Sequence, residues 1–296
     1  MENPNNTDSA RGFGFALTAY LLWGFLPLYM KAMAHIPPAE VVAHRIIWSV
    51  PIAAAVLWWL GRTSDLRVAL RSARMIGMGA LTAALISVNW GIYVWAIGAD
   101  HALDAALGYY INPLFSVFLG AVLLGERLGR AQMAAIGLAA VAVVILTVAQ
   151  GAVPVVALSL TISWGLYAYL KKSLPLGPNQ GFMLEVLILL PFALAFVGWQ
   201  VVQGTSHFGG AAQDTWLLLG CGIVTAGPLM IYANGAKLLR LTTIAMMQYI
   251  APTMIFLTAV FWFGEPFGTA RAIAFPMIWV ALVIFTGSLL WQRRRG

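Results

Sequence analysis

Charge is what this sequence has least of. Only 9% of its 296 residues are Asp, Glu, Lys or Arg, against 61% that are hydrophobic, whereas soluble domains carry about 25% charged residues. So few charges cannot cover a water-facing surface, which excludes a soluble fold. Cysteine is scarce as well. Cys221 stands alone inside an apolar run, which removes an intrachain disulfide or a cysteine metal cluster and leaves a small buried apolar residue. The histidines His35, His44, His101 and His207 are far apart and none lies in an HExxH pattern, so no metal site is expected. There is no GxxxxGK(S/T) loop and no clustered His and Asp within the apolar runs. A nucleotide-driven pump, a membrane enzyme and a bound cofactor are therefore not expected. A channel would show a continuous polar or charged ring, and only scattered amides are present. Composition leaves a structural or receptor role open.

The sequence does have long apolar runs. A helix needs roughly 20 apolar residues to cross about 30 Å of hydrocarbon, and ten such runs occur: Gly12 to Met33, Val41 to Leu60, Met75 to Ile97, Leu103 to Leu124, Arg130 to Val148, Pro154 to Leu170, Gln180 to Val201, Trp216 to Leu238, Thr242 to Phe263 and Thr269 to Trp291. The leader, residues 1–11, lacks a basic n-region and a small-residue cleavage site, so the first run reads as an uncleaved span. The net charge of +7 would suit a nucleic-acid binder, but its position argues otherwise. Arg11, Arg62, Arg67, Arg71, Arg74, Arg127, Arg130, Lys171, Lys172, Lys237, Arg240 and Arg293 to Arg295 all fall on one side if the N-terminus is inside. Only Lys31 and Arg271 fall on the other. Cytoplasmic loops retain positive charge, so both termini are expected in the cytoplasm, with residues 293–296 as a basic tail. The expected partners are the bilayer and a small-molecule solute, with no nucleic acid; oligomeric state is not legible.

The chain also repeats itself. Tyr110-Ile111-Asn112-Pro113 followed by Gly125-Glu126 matches Tyr249-Ile250-Ala251-Pro252 followed by Gly264-Glu265 at an offset of 139. Tyr93 and Tyr232 share that offset, Pro51 and Pro191 differ by 140, and Trp23-Gly24 and Trp164-Gly165 differ by 141. Residues 12–149 and 150–292 thus form two five-helix repeats. An odd helix number inverts the second, which predicts an all-α integral membrane protein of ten transmembrane helices in two inverted-topology repeats of five. In such folds the solute site lies near the midplane between repeats.

The segments Trp23-Gly24, His44-Arg45-Ile46-Ile47-Trp48-Ser49, Asn89-Trp90, Leu107 to Pro113, Leu124 to Arg127, Gln248 to Thr253 and Phe275 to Trp279 stand out. Together they resemble the RarD proteins of the EamA family, within the drug/metabolite transporter superfamily. The resemblance implies ten helices in inverted halves, the bacterial inner membrane, and export of small metabolites, amino-acid-like or aromatic, or of drugs; the absence of a nucleotide site argues for a secondary or facilitated route.

At about 1.5 Å per residue, Trp23, Pro113, Trp164 and Pro252 all come to the middle of their helices. Proline frees the carbonyl four residues earlier, so Pro113 exposes that of Tyr109 and Pro252 that of Gln248. Such carbonyls are tolerated where protein or a wet cavity satisfies them, which leaves a cavity and a structural kink both open. Asn89, Asn112 and Gln248 are intramembrane amides able to bond a solute or another helix. Trp23, Trp90, Trp164, Tyr109, Tyr110 and Tyr249 lie too deep for an interfacial belt and are candidate cavity walls. Arg45 and Glu185 are ionisable residues well inside spans, a functional-site hypothesis by default. They occupy matched positions at offset 140, but inversion separates their depths by roughly 10 to 15 Å on about 30 Å of core, so direct pairing is disfavoured. Arg45 is a candidate for a solute carboxylate, and Glu185 for an amine or the coupling proton. In the alternative, each pairs with nearby polar groups. Glu126 and Glu265 read as helix-end or loop ion pairs.

Overall fold

The computed structural model describes residues 9–61, 63–124, 128–236, 238–239 and 241–295, and its described residues form helices and connections with no strand. The start of the leader, Glu126 and Gly296 lie outside them, as do the side chains of the Arg293 to Arg295 tail.

In chain order the helices are α1 (Ala10–Ala32), α2 (Pro38–Trp59), α3 (Thr63–Ala69), α4 (Ala73–Gly98), α5 (Ala102–Leu124), α6 (Arg130–Gln150), α7 (Val155–Ser173), α8 (Pro178–Gln203), α9 (Ala212–Ala236), α10 (Leu241–Met247), α11 (Ile250–Leu257) and α12 (Thr269–Arg295); α11 runs on as a π-helical turn, Thr258–Trp262. Eight of these are long and apolar enough to cross a membrane, and Val155–Lys171 and Ile250–Trp262 are shorter apolar helices. In hydrocarbon a spanning backbone must satisfy its own hydrogen bonds, and the α-helix does so within one segment. The ends are set locally. Ser9 Oγ accepts the Gly12 amide at 2.9 Å to start α1. Pro38 and Pro178 open α2 and α8 where a missing N–H costs nothing. Gly151 and Gly204 close α6 and α8 at φ 67° and 68°, the left-handed conformation that glycine adopts freely.

Two expectations are corrected here. The ninth apolar run, Thr242 to Phe263, is not one helix: it breaks at Gln248 and Tyr249, between α10 and α11. Pro252 withholds the amide that would bond Gln248, and the backbone at the break instead tightens, with the Tyr249 amide donating to the Met246 carbonyl at 3.4 Å. The counterpart α5 continues straight through Pro113. Lys171, read from sequence as a loop residue, belongs to α7.

The packing is largely an exchange between the two halves of the chain. α1 packs on α9 and α11, α7 on α4 and α5, α2 on α8 and α9, and α6 on α12. Glycine permits two of the closest approaches. A β-carbon on Gly24 of α1 would collide with the Met254 side chain of α11, and one on Gly165 of α7 with the Phe115 ring of α5. The outward faces remain apolar. Trp58 and Trp59 end α2 at 80% and 84% exposure and Trp216 sits near the start of α9 at 72%, as tryptophans at a membrane interface do.

Candidate functional site

Arg45 sits two turns into α2 and is only 3% exposed. Its Nε donates to Thr225 Oγ1 of α9 at 3.0 Å, and its guanidinium carbon stands 4.7 Å from the centre of the Trp90 ring on α4. That is a cation–π contact, which gains strength where water is excluded. Its Nη1 is buried and has no hydrogen-bond partner, and the buried Tyr93 hydroxyl one helical turn beyond Trp90 has none either.

An aromatic path leads away from this group. Tyr93 and Tyr109 lie 5.9 Å apart between ring centres, Tyr109 meets Trp164 edge-on at 6.3 Å, and Trp164 meets Tyr167 at 5.6 Å. Tyr109 and Trp164 keep part of their surface open although both lie deep along their helices. Asn89, fully buried, ties α4 to α7: its Nδ2 donates to the Leu160 carbonyl at 3.2 Å and to Ser163 Oγ at 2.9 Å, while its Oδ1 accepts from the Tyr109 hydroxyl at 3.3 Å.

The path ends at Glu185, 1% exposed on α8, whose Oε1 lies 2.6 Å from Lys171 Nζ on α7. The Tyr167 hydroxyl donates to its other oxygen at 3.3 Å. Arg45 and Glu185 are thus not partners, and each has found its own neighbours. Sequence reasoning missed Lys171. Its offset of 140 from Lys31, at the matching end of the first helix, was the available signal.

The other predicted residues divide into separate groups. Trp23 packs with Tyr20 and Tyr232 at 5.5 to 5.6 Å. Tyr110 is 3% exposed, bonds the Thr253 hydroxyl at 2.7 Å and packs edge-on against Phe275 and Trp279. That contact joins α5 to α11 beside Pro113 and Pro252. Asn112 is 7% exposed and its Oδ1 has no partner. Gln248 and Tyr249 form the break itself.

A second polar cluster also escaped the sequence reading. Glu40, fully buried at the start of α2, accepts from Ser206 Oγ at 3.1 Å, the His207 amide at 2.8 Å and Gln200 Nε2 at 3.4 Å, and pairs with His207 Nδ1 at 2.8 Å. Residues 205–208 are thereby strapped over the end of α2, with Phe208 stacked on His44 at 4.8 Å. Glu265 accepts the Ala102 and Leu103 amides at 2.6 and 2.9 Å and so caps α5, a helix cap in place of the ion pair expected from the sequence.

Comparison with known proteins completes the picture. The EamA-like transporter family matches residues 10–148. Protein RarD of Streptomyces exfoliatus is 39% identical over 296 residues, covering 100% of this chain and 93% of that protein. The chain belongs to the RarD group of the EamA-like transporter family. An uncharacterized transporter of Vibrio cholerae is 40% identical over 287 residues, 96% of this chain and 94% of its own. A protein crystal structure superposes with a TM-score of 0.60 at 21% identity, over 98% of this chain and all of the other, a likeness of fold alone.

Proposed function

We propose that this membrane protein is a secondary transporter of small metabolites or drugs. Its ten transmembrane helices form two inverted five-helix repeats that rock to expose a midplane cavity to each side in turn. The observation that carries the reading is the reciprocal pair of glycine contacts. Met254 is Phe115 advanced by 139 and Gly165 is Gly24 advanced by 141, so the Gly24–Met254 and Gly165–Phe115 contacts pair matched positions in reciprocal order, which supports one interface built twice. The exchanged helix packing supports the same relation. The two fourth helices of the repeats nevertheless differ, α5 being continuous and α10–α11 broken. Such a difference between matched elements is what an alternating pair of halves requires, since each adopts the other's shape when access reverses.

The cavity is lined by Arg45, Trp90, Tyr109 and Trp164, with Asn112, Gln248, Tyr249 and the two prolines toward the repeat interface. Both termini lie in the cytoplasm of a bacterial inner membrane, and the family points to export. Glu185 serves proton coupling if its ion pair opens during the cycle. The closed Lys171–Glu185 pair favours a second reading, a facilitator without ion coupling in which the pair latches α7 to α8.

Counterflow of pooled metabolites and drugs in proteoliposomes, with and without an imposed pH gradient, tests both. Gradient-enhanced counterflow supports coupling, gradient-insensitive counterflow supports the facilitator, and no counterflow of any solute refutes transport.

A further inference from the structure

The charge pattern around Arg45 narrows the solute. Every described acidic side chain is engaged elsewhere: Glu185 with Lys171, Glu40 with His207, Asp100 with Lys31, Asp104 with Arg271, Asp214 with His35, Asp65 with Gln180, and Glu265 with the α5 amides. Arg45 alone among the buried cations faces no described carboxylate. Its one hydrogen bond goes to a neutral hydroxyl, and its Nη1 has no acceptor. A buried cation left in this way is costly, and an arriving anion relieves that cost. The matched carboxylate, Glu185, already has Lys171 as its counter-ion at 2.6 Å and Tyr167 as a donor, so a solute's ammonium would have to displace a cation already in place.

Building on the transport reading above, we infer that the solute is an organic monocarboxylate without a compensating ammonium group. Its carboxylate is received by Arg45 Nη1 and the Tyr93 hydroxyl, and its flat apolar body lies along Tyr109 and Trp164. It differs from a solute carrying both a carboxylate and an amine, for which Arg45 and Glu185 are the candidates in the sequence. A zwitterion would bring a positive charge into a site whose only uncommitted charge is already positive.

The test measures binding to the purified full-length protein by calorimetry. The probes are a graded set of monocarboxylates from acetate to 3-phenylpropionate, together with 3-phenylpropanamide, phenylalanine and chloride. We expect 3-phenylpropionate to bind about 10- to 100-fold more tightly than its amide, the ratio set by losing a hydrogen bond to a charged group. Phenylalanine is expected to bind more weakly than 3-phenylpropionate. Arg45→Gln should abolish the preference for acid over amide. Thr225→Val keeps the charge and loses its tether, and should weaken carboxylate binding several-fold while leaving that preference. Equal binding of acid and amide, tighter binding of phenylalanine, no carboxylate binding, or complete displacement by equimolar chloride each overturns the inference. Selective binding without counterflow refutes transport and leaves the inference standing. Arg45-independent counterflow of neutral solutes does the reverse.

Discussion

Removing Lys171 should cost far more than removing the glutamate it pairs with. In Lys171→Met the Glu185 carboxylate stays where it is, 1% exposed with Tyr167 as its remaining donor at 3.3 Å. Breaking a buried pair in this way costs about 3 to 5 kcal/mol. Lys171 Nζ and Glu185 Oε1 are both buried, so solvent screening does not lower that cost. Glu185→Gln leaves the ammonium instead. With its head near the end of α7, Lys171 can extend into water and keep its stem on apolar surface, so a cost of about 1 kcal/mol is expected from the lost pairing. The double variant removes both charges and should return to within about 1 kcal/mol of the parent. Reversible unfolding in mixed micelles, titrated with SDS and followed by near-ultraviolet circular dichroism, measures all three. A deficit of about 3 kcal/mol corresponds to roughly two orders of magnitude in the folded-to-unfolded ratio. Equal losses from the two single variants, or a double variant no better than Lys171→Met, would refute the argument that the stranded carboxylate is what destabilises.

Four other outcomes follow from the same structure. Asn89→Leu removes two donated bonds to α7 and one accepted from Tyr109 of α5, and should lower stability by about 1 to 3 kcal/mol in the same titration. Glu265→Gln removes the carboxylate from the α5 N-terminus, with an expected loss of about 1 kcal/mol; an unchanged midpoint would show that the cap contributes nothing. Glu40→Gln should release the 205–208 strap, seen as faster hydrogen exchange of the His207 amide, and unchanged exchange there would contradict a holding role for the carboxylate. Single cysteines at Ser72 and Gln213 in a Cys221→Ala background should label from the cytoplasmic and external sides respectively. The reverse pattern would overturn the orientation.

Composition and run length made the helical, lipid-facing character of the chain legible. The paired motifs made the family legible, since Trp23-Gly24 and Trp164-Gly165 mark surfaces where helices meet closely. What the sequence could not convey was partnership across long separations. Glu185 was visible as a buried acid, but its partner lay just beyond the assigned end of the sixth run, among charges that resembled a loop. Glu40 was similarly left in a connection, because nothing local indicates that a loop 167 residues later folds back onto it. The two proline motifs show the limit most clearly. Tyr-Ile-Asn-Pro passes through an unbroken helix and Tyr-Ile-Ala-Pro begins within a break. A missing amide permits a bend, and the neighbours packed against it decide whether one forms.

The exchange of partners between halves bears on how the protein is made. The last residue of α6 precedes the first of α12, its principal neighbour, by 119 positions. At about 5 to 20 residues per second, the ribosome needs roughly 6 to 24 s to supply it. Through that interval the face of α6 meant for α12 stays turned to lipid or insertion machinery. A chain stopped at its midpoint would leave uncovered every surface that pairs with the second half, so quality control has a simple sign of an incomplete product.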